Sequence, residues 1–285
     1  MAKYIGTYAT SGDVQTALDN QELSRPFIAY TTDNDKVYYG PAAVKAEVGD
    51  IVVYSVSDDL LHYIKQADYN TTTYPSASYV PVGVVAYPQN DDAILGPTGE
   101  VTFMGLNWLS KTSPDSGKTT EEGMEWGYDG FDIPELTNYS TSGTAITDMN
   151  GKANTEAVLN YATAQTDWKT ASAITFTEGA AGYYPAFECA WRYHTSGTVQ
   201  GDWFVPAVGQ LNNLWNDDGL AEIFSAGFVL VGARAFLKKT NHGTSTEKDT
   251  KYMYNYYGGK LGYGDTKSTS WTRTRPFCSK LMTRI

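Results

Sequence analysis

The order of strand-like and helix-like segments is the feature that most constrains the fold of this chain. Near the start, "VGDIVVYSVSDDLLHYIK" predicts two strands around a polar turn, and "YVPVGVVAYP" is a continuous apolar run typical of a central strand. "GEVTFMGLNWLS" predicts a further strand. Helical segments follow in the middle, and strand-like runs interrupted by glycine return at the end. Because strands and helices are grouped rather than alternating, the sequence predicts an α+β fold and not an α/β fold.

Three segments in the middle of the chain predict helices. "NTEAVLNYATAQ" begins with a candidate N-cap and an early Glu, and "YYPAFECAWRYHT" carries proline in its first turn. "DWFVPAVGQLNNLWND" predicts a short extended piece, then Pro206, then a third helix. The region before them, about Lys111 to Asp148, has little periodicity but is rich in Gly, Trp and Tyr, which indicates an ordered irregular loop.

The N-terminal residues 1–42 predict a small unit of their own. "SGDVQTALDNQEL" has the spacing of a short helix, and "RPFIAYTTDNDKVYYG" predicts two strands around a polar turn. A helix and a hairpin are too small to fold alone. We therefore expect residues 1–42 to dock on a larger body, on a sister chain of a homo-oligomer or on a tail protein, with residues 43–285 forming the main domain.

Charge and hydropathy exclude several classes of partner. Only 19% of the 285 residues are charged and 14% are aromatic, so disorder is not expected outside loops. The net charge is −11. Nucleic acids and anionic membranes are excluded as partners because phosphate binding needs clustered Lys and Arg. The sequence has no apolar run of about 18 residues, so membrane insertion is not expected. Its N-terminus shows no apolar signal region, so we expect no secretory signal and synthesis in the cytoplasm.

The sequence contains few candidate metal ligands and few candidate catalytic residues. Cys189 and Cys278 form no CxxC pair, and they are either two buried thiols or a disulfide. His62 and His194 fit structural or surface roles, whereas His242 lies in a loop-like segment and is either structural or a ligand contact. The hydrolase, P-loop and zinc-protease motifs do not occur in the sequence. We therefore predict no metal, no cofactor and no enzymatic activity.

One motif carries a resemblance. In "GDWFVPAVGQLNNLW", the positions Trp203, Pro206, Gly209, Gln210 and Leu211 fit a Gly-x-Trp-(aromatic)-x-Pro-(small)-x-Gly-(Glu/Gln)-Leu motif that opens a helix. The chain thereby resembles a bacterial and phage branch of the C-type lectin fold. The residues themselves favour structural roles, with the indole as a core anchor and the proline and glycine shaping the entry to the helix.

The closing segment "WTRTRPF" extends the resemblance, which covers roughly Gly49 to Leu281. Arg273, Arg275 and Phe277 fit the strand that closes the domain, although the proline and the arginine spacing depart from the usual pattern. The same branch includes the variable proteins of diversity-generating retroelements, whose substituted positions form an exposed ligand-binding face. It also includes sulfatase-modifying enzymes of the formylglycine-generating type, whose cysteine pair does not match the two cysteines here.

The stretch before the closing segment has the composition of a recognition surface. "YMYNYYGGKLGYGDTKSTSW" is rich in Tyr, Ser, Asn and Gly, which supply large contact area and adaptable hydrogen bonds at low entropic cost. We therefore predict that exposed residues between Phe236 and Trp271 converge on one ligand-binding face. The candidate contact residues are Phe236, Asn241, His242, Tyr254, Asn255, Tyr257, Tyr263, Asp265, Ser268, Ser270 and Trp271.

Alternation by two offers a different interpretation of the same tyrosines. Tyr252, Tyr254 and Tyr256 would then face the core, leaving Asn255 and Tyr257 outward. Both interpretations place a strand here, and they differ only in which side chains meet a ligand.

The resemblance implies a non-enzymatic binding protein. The leading hypothesis is a receptor-binding protein of a phage tail that attaches to a protein or glycan receptor on the host cell. It would reside in the virion, or in the cytoplasm before lysis. The alternatives are a bacterial surface adhesin of the same fold and an enzyme of the formylglycine-generating type.

Overall fold

The computed structural model describes residues 46–88, 100–165, 182–216, 219–236, 240–257, 260–262 and 264–285, together with the backbone of three strands nearer the N-terminus. Those three strands are β1 (Lys3–Tyr8), β2 (Phe27–Thr31) and β3 (Lys36–Tyr39). The antiparallel pairing of β2 with β3 confirms the predicted hairpin, and β1 adds a parallel strand that was not predicted. The helix predicted within residues 11–23 lies outside the described residues, and the domain boundary near residue 42 stays a prediction.

A seven-stranded sheet forms the centre of the main body, in the order β14-β5-β4-β6-β7-β13-β8. All its pairings are antiparallel except that of β14 with β5. As predicted, the apolar run "YVPVGVVAY" is a central strand, because both of its faces are covered by core residues. The strands are β4 (Ile51–Ser55), β5 (Leu60–Ile64), β6 (Tyr79–Tyr87), β7 (Val101–Gly105), β8 (Trp203–Phe204), β13 (Phe277–Lys280) and β14 (Thr283–Arg284).

Helices occupy the middle of the chain as predicted, but a short helix also lies in the region predicted to be irregular, and two further differences occur. The described helices are α1 (Ser142–Ala145), α2 (Gly151–Gln165), α3 (Pro185–Arg192), α4 (Val208–Asn216) and α5 (Leu220–Leu230). Helix α2 begins three residues before the predicted N-cap Asn154, whose side chain instead donates to Asp148 Oδ2 at 2.9 Å. Helix α5 replaces a predicted strand. Its buried residues Ala221, Phe224 and Phe228 recur at helical spacing on the side that faces the core.

A second, smaller sheet is built around β10 (Tyr252–Tyr257). Strand β9 (His242–Glu247) pairs with β10, and β11 (Lys260–Leu261) and β12 (Asp265–Thr266) also pair with it. Every residue of β9 is buried although the segment "HGTSTE" is polar. The prediction of a loop around His242 is therefore wrong. The hydroxyl side chains of this strand can be buried because they form hydrogen bonds inside the protein: Thr244 Oγ1 donates to the Tyr254 carbonyl at 2.6 Å.

Two apolar clusters cover opposite faces of the seven-stranded sheet. Neighbouring strand residues such as Phe103 and Met104 belong to different clusters, because side chains alternate along a strand. The motif residue Trp203 lies in one cluster with Val82 and Val85. Four further residues of the helix motif and the closing segment lie in the other cluster: Phe204, Leu211, Leu214 and Phe277. The molecule is thus a mixed α and β protein with mainly antiparallel sheets and few helices.

Two further predictions concern the cysteines and the membrane. Cys189 and Cys278 are buried and free, which confirms the two-thiol interpretation and rules out a disulfide between them. Among the described residues, no helix combines the length and the apolar character that crossing a bilayer would require.

Candidate functional site

Four of the predicted contact residues lie inside the protein, so their assignment to an exposed face is wrong. Phe236, His242, Tyr254 and Asn255 are all at most 3% exposed. Phe236 packs on the Trp215 ring with centroids 4.1 Å apart and on the His242 ring at 4.7 Å. Phe236 and His242 are buried against Trp215 of helix α4, and Phe236 also packs on Phe224 of helix α5, which was not foreseen.

The tyrosines of β10 follow the alternation interpretation in part. Tyr254 and Tyr256 belong to a core cluster, and the Tyr254 hydroxyl donates to the Tyr139 carbonyl at 2.9 Å. Tyr257 points outward and is 53% exposed. Asn255 departs from the alternation because it is buried beside Gly262, where a Cβ atom would clash with its side-chain oxygen.

The Asp265 carboxylate links residues of the small sheet through hydrogen bonds. Asp265 Oδ2 accepts a hydrogen bond from Asn241 Nδ2 at 3.0 Å and another from Asn255 Nδ2. Asn241 lies just before β9 and Asp265 lies in β12, on opposite edges of β10, so the carboxylate bridges the width of the sheet. These polar residues, half-buried or buried, fix backbone positions rather than present free groups.

Besides Tyr257, the exposed residues of the predicted set lie in the segment after β12. Trp271 is 72% exposed, Ser270 is exposed and Ser268 is half-buried. The Ser268 backbone amide donates to Asp129 Oδ1 at 3.0 Å, which joins this segment to the irregular region. Tyr263 lies outside the described residues.

Although the Trp271 side chain is exposed, hydrogen bonds fix the backbone of the two residues that follow it. The next residue, Thr272, donates its hydroxyl to the Met124 carbonyl at 2.9 Å and accepts the Met124 amide at 3.0 Å. The Arg273 amide donates to the Asn241 carbonyl at 2.8 Å, and the Arg273 guanidinium donates to the Trp271 carbonyl at 2.6 Å. A large indole is therefore presented to solvent on a rigid support.

A cluster of charged side chains is joined to this segment, because Arg273 contacts both the Trp271 carbonyl and Glu121. Glu121 lies 3.4 Å from the guanidinium nitrogens of both Arg234 and Arg273, and it accepts the Thr240 hydroxyl at 3.1 Å. Glu121 comes from the irregular region, far away in sequence, so no local pattern could have found it. We call the residues Glu121, Arg234, Asn241, Ser270, Trp271 and Arg273 the Trp271 surface.

The second arginine of the closing segment has a different role. Arg275 is 2% exposed, and its guanidinium lies 4.5 Å from the Trp108 ring centroid and 4.3 Å from that of Phe228. Its Nη2 donates to the Arg234 carbonyl at 2.6 Å. Burial lowers the pKa of Arg275 to about 9. Arg275 thus fixes the backbone of Arg234 by a hydrogen bond from the protein interior, while Arg273, two residues earlier, faces outward.

An open apolar groove lies along α5. Its volume is about 540 Å³, and Phe236 forms part of its wall. Val229 at 61% exposure and Ile223 at 46% leave much of the helix uncovered. The other lining residues are Ala221, Glu222, Ser225, Ala226, Val229 and Leu230.

Comparison with known proteins shows a fold but no family. No family model matches the chain, and no curated protein matches it. A solved structure of a fimbrial protein from Bacteroides ovatus ATCC 8483 is similar, with a TM-score of 0.52, 17% sequence identity and 88% of this chain covered. The match covers 52% of that chain, so this chain spans about half the length of the fimbrial protein. At this identity the likeness shows a shared fold alone.

Proposed function

We propose that the chain is a non-enzymatic binding protein that attaches to a cell-surface receptor through the Trp271 surface. The observation that carries the proposal is the 72% exposure of Trp271 on a backbone fixed by hydrogen bonds. Tryptophan and arginine dominate the energetics of protein interfaces, and rigid aromatic anchors lose little entropy on binding. Arg273, whose guanidinium donates to the Trp271 carbonyl, and Arg234, which shares Glu121 with it, add donors for a polar or acidic group.

The scaffold that we propose for this surface is a C-type-lectin-like fold. The support is the helix motif, whose predicted core positions are buried: Trp203 is 1% exposed and Leu211 is 1% exposed. Its glycine also has a structural reason, because a Cβ at Gly209 would lie 2.3 Å from the Asp148 carbonyl oxygen. A fold of this class presents binding residues on loops and terminal strands above a rigid core.

The thiols give further support to a non-enzymatic role. Cys189 and Cys278 are fully buried, and burial raises the pKa of both thiols. A catalytic cysteine needs an accessible thiolate, and burial in apolar surroundings opposes both conditions. The formylglycine-type alternative therefore lacks a reactive thiol at these positions.

Two locations are consistent with such a binding role, and each would carry the protein to its receptor. A phage tail is the first, as the resemblance to variable proteins of diversity-generating retroelements implies. A bacterial surface adhesin is the second, and the likeness to a fimbrial protein favours it. A neighbouring reverse transcriptase gene with an adenine-differing near-copy of codons for residues 230–277 would support the first location. Labelling of intact cells by an antibody against the chain would support the second.

Cell binding tests the proposed surface directly. We expect the purified protein to bind some members of a panel of intact bacteria that includes Bacteroides ovatus. Replacing Trp271 by alanine should weaken binding at least about tenfold, because a hot-spot residue contributes about 1.4 kcal/mol or more.

Val199→Ala is the matched control, since Val199 is a 65% exposed apolar side chain away from the Trp271 surface. Equal binding by the wild-type protein and the Trp271→Ala variant, with both folded, would contradict the proposal. Binding to a glycan array, compared with binding to protease-treated cells, separates glycan receptors from protein receptors.

A further inference from the structure

A lysine and a glutamate meet in the interior of the small sheet. Glu247 ends β9, and Lys267 follows β12. Both side chains are 0% exposed, and Lys267 Nζ contacts Glu247 Oε1. The same Nζ donates to the Phe131 carbonyl at 2.7 Å and lies 4.8 Å from the Trp126 ring centroid. The pair is therefore sealed between an indole, backbone and the sheet.

This environment disfavours the charged forms of both groups. Burial raises the pKa of Glu247 and lowers the pKa of Lys267, although each partner's charge opposes the shift of the other. Glu247 Oε2 has no hydrogen-bond partner among the described residues. A proton passed from the ammonium to the carboxylate gives a neutral amine facing a neutral carboxylic acid, which are the forms that can react with each other.

The backbone keeps the two groups together. The amides of Trp126 and Gly127 both donate to the Lys267 carbonyl at 3.0 Å, and the Lys267 amide donates to the Lys251 carbonyl at 3.0 Å. Met253 pairs with Glu247 across the sheet. Holding a nucleophile against its electrophile in a fixed geometry replaces an encounter in solution by an effectively unimolecular step.

We propose that Lys267 and Glu247 condense into an intramolecular amide bond once the chain has folded. The lone pair of the neutral Nζ attacks the Glu247 carboxyl carbon, and a carbon–nitrogen bond forms. The bond from that carbon to one carboxyl oxygen then breaks, and this oxygen leaves as water with one proton from the acid and one from Nζ. No oxidant, reductant or cofactor is consumed.

Two further ionisable groups interact electrostatically with the pair. The Tyr184 hydroxyl is buried without a hydrogen-bond partner among the described residues, and its ring packs edge-on against Trp126 at 5.8 Å. Burial, Tyr161 and then Glu247 raise the pKa of Tyr184. The charge of Asp132 acts on both members of the pair, raising the pKa of Glu247 and of Lys267.

The bond would close residues 247–267 into a covalent loop. That loop contains β10, β11 and β12 and therefore carries Tyr257 and Asp265. A cross-link between residues 247 and 267 limits how far these strands can separate and so keeps the shape of the surface that they form. The inference does not depend on the proposed binding function, because the chemistry involves interior residues only.

Mass spectrometry of the denatured, reduced full chain tests the proposal. We expect a mass lower by one water molecule than the sequence mass. Trypsin should leave residues 240–248 joined to residues 261–273, with no cleavage after Lys267. The Lys267→Arg variant keeps the positive charge but has no primary amine there, so it should show the full sequence mass.

Two outcomes would overturn the proposal. The first is a wild-type chain of full sequence mass that trypsin cleaves after Lys267. The second is a water loss that persists in the Lys267→Arg variant, which would place the loss elsewhere, for example at the Asp129–Gly130 sequence. The peptide map of the wild-type chain decides the question even if the variant does not fold.

Discussion

Glu188 shows at the scale of a single residue how burial sets a chemical property. Its side chain lies in the first turn of α3 at 2% exposure, and its Oε1 accepts the Tyr184 amide at 3.1 Å. Burial raises its pKa to about 7, against the lowering effects of that amide and of Arg192. The folded protein therefore binds this proton more tightly than the unfolded chain, whose ordinary value is 4.5.

The sign of this shift gives a prediction for stability against pH. The contribution of Glu188 is fully present below about pH 4.5 and is lost as the pH rises to about 7. Glu188→Gln keeps an oxygen for the Tyr184 amide and removes the ionisation. We expect the variant to match the wild type near pH 4.5 and to exceed its free energy of unfolding at pH 8 by on the order of 2–3 kcal/mol.

Chemical denaturation at several pH values measures that difference. Glu135→Gln is the control because Glu135 is exposed. If both variants show the same pH dependence, or if Glu188→Gln is the less stable protein at pH 8, burial is not the cause.

Individual residues also show what the sequence could predict of the site. The aromatic and hydroxyl composition drew attention to the segment that carries Trp271 and Ser270, both of which are exposed. It could not tell which aromatic rings face outward, because that depends on what covers each strand. Phe236 and His242 are buried against Trp215, and this contact joins segments separated in the sequence.

At the scale of elements, the local sequence pattern predicted strands β4, β5, β6 and β7 of the large sheet and helices α2, α3 and α4. It failed for α5, because "LAEIFSAGFVL" is apolar on nearly all sides and lacks the polar face that marks an amphipathic helix. It failed for β9 for the opposite reason, since that buried strand contains no aliphatic side chain. Its Thr246 hydroxyl donates to Asp148 at 2.7 Å, a partner that only the folded chain supplies.

The entry to helix α4 gives a prediction at this scale. A Cβ at Gly209 would lie 2.3 Å from the Asp148 carbonyl oxygen and 2.6 Å from that of Ile146, and backbone atoms cannot move aside cheaply. Gly209→Ala should therefore lower the free energy of unfolding by about 1–3 kcal/mol.

Gly143 in helix α1 provides the matched control, because a Cβ there meets nothing within 4 Å. Gly143→Ala should leave stability unchanged or raise it by up to about 1 kcal/mol. Denaturant titration compares the two. Equal effects at both positions would mean that the close approach at Gly209 does not restrict the residue.

At the scale of the whole molecule, stability and recognition reside in different places. The two core clusters on the faces of the seven-stranded sheet hold the large buried side chains, including Trp203, Phe103 and Phe187. The Trp271 surface lies outside these clusters and is joined to them through backbone hydrogen bonds and the buried Arg275. Side chains on such a surface can change with little effect on folding, because changes away from caps and special backbone positions stay within about 0.5 kcal/mol.

A paired library measures this separation most directly. One library randomises the outward residues Tyr257, Ser270 and Trp271 together with the half-buried Ser268, and the other randomises the core residues Val82, Val84, Leu211 and Leu214. Each pool is scored for folded protein by protease resistance and for attachment to the bacteria that the wild-type protein binds. The account predicts that most outward variants fold and lose attachment, whereas most core variants fail to fold. Outward variants that unfold as often as core variants, or that fold and attach as the wild type does, would contradict it.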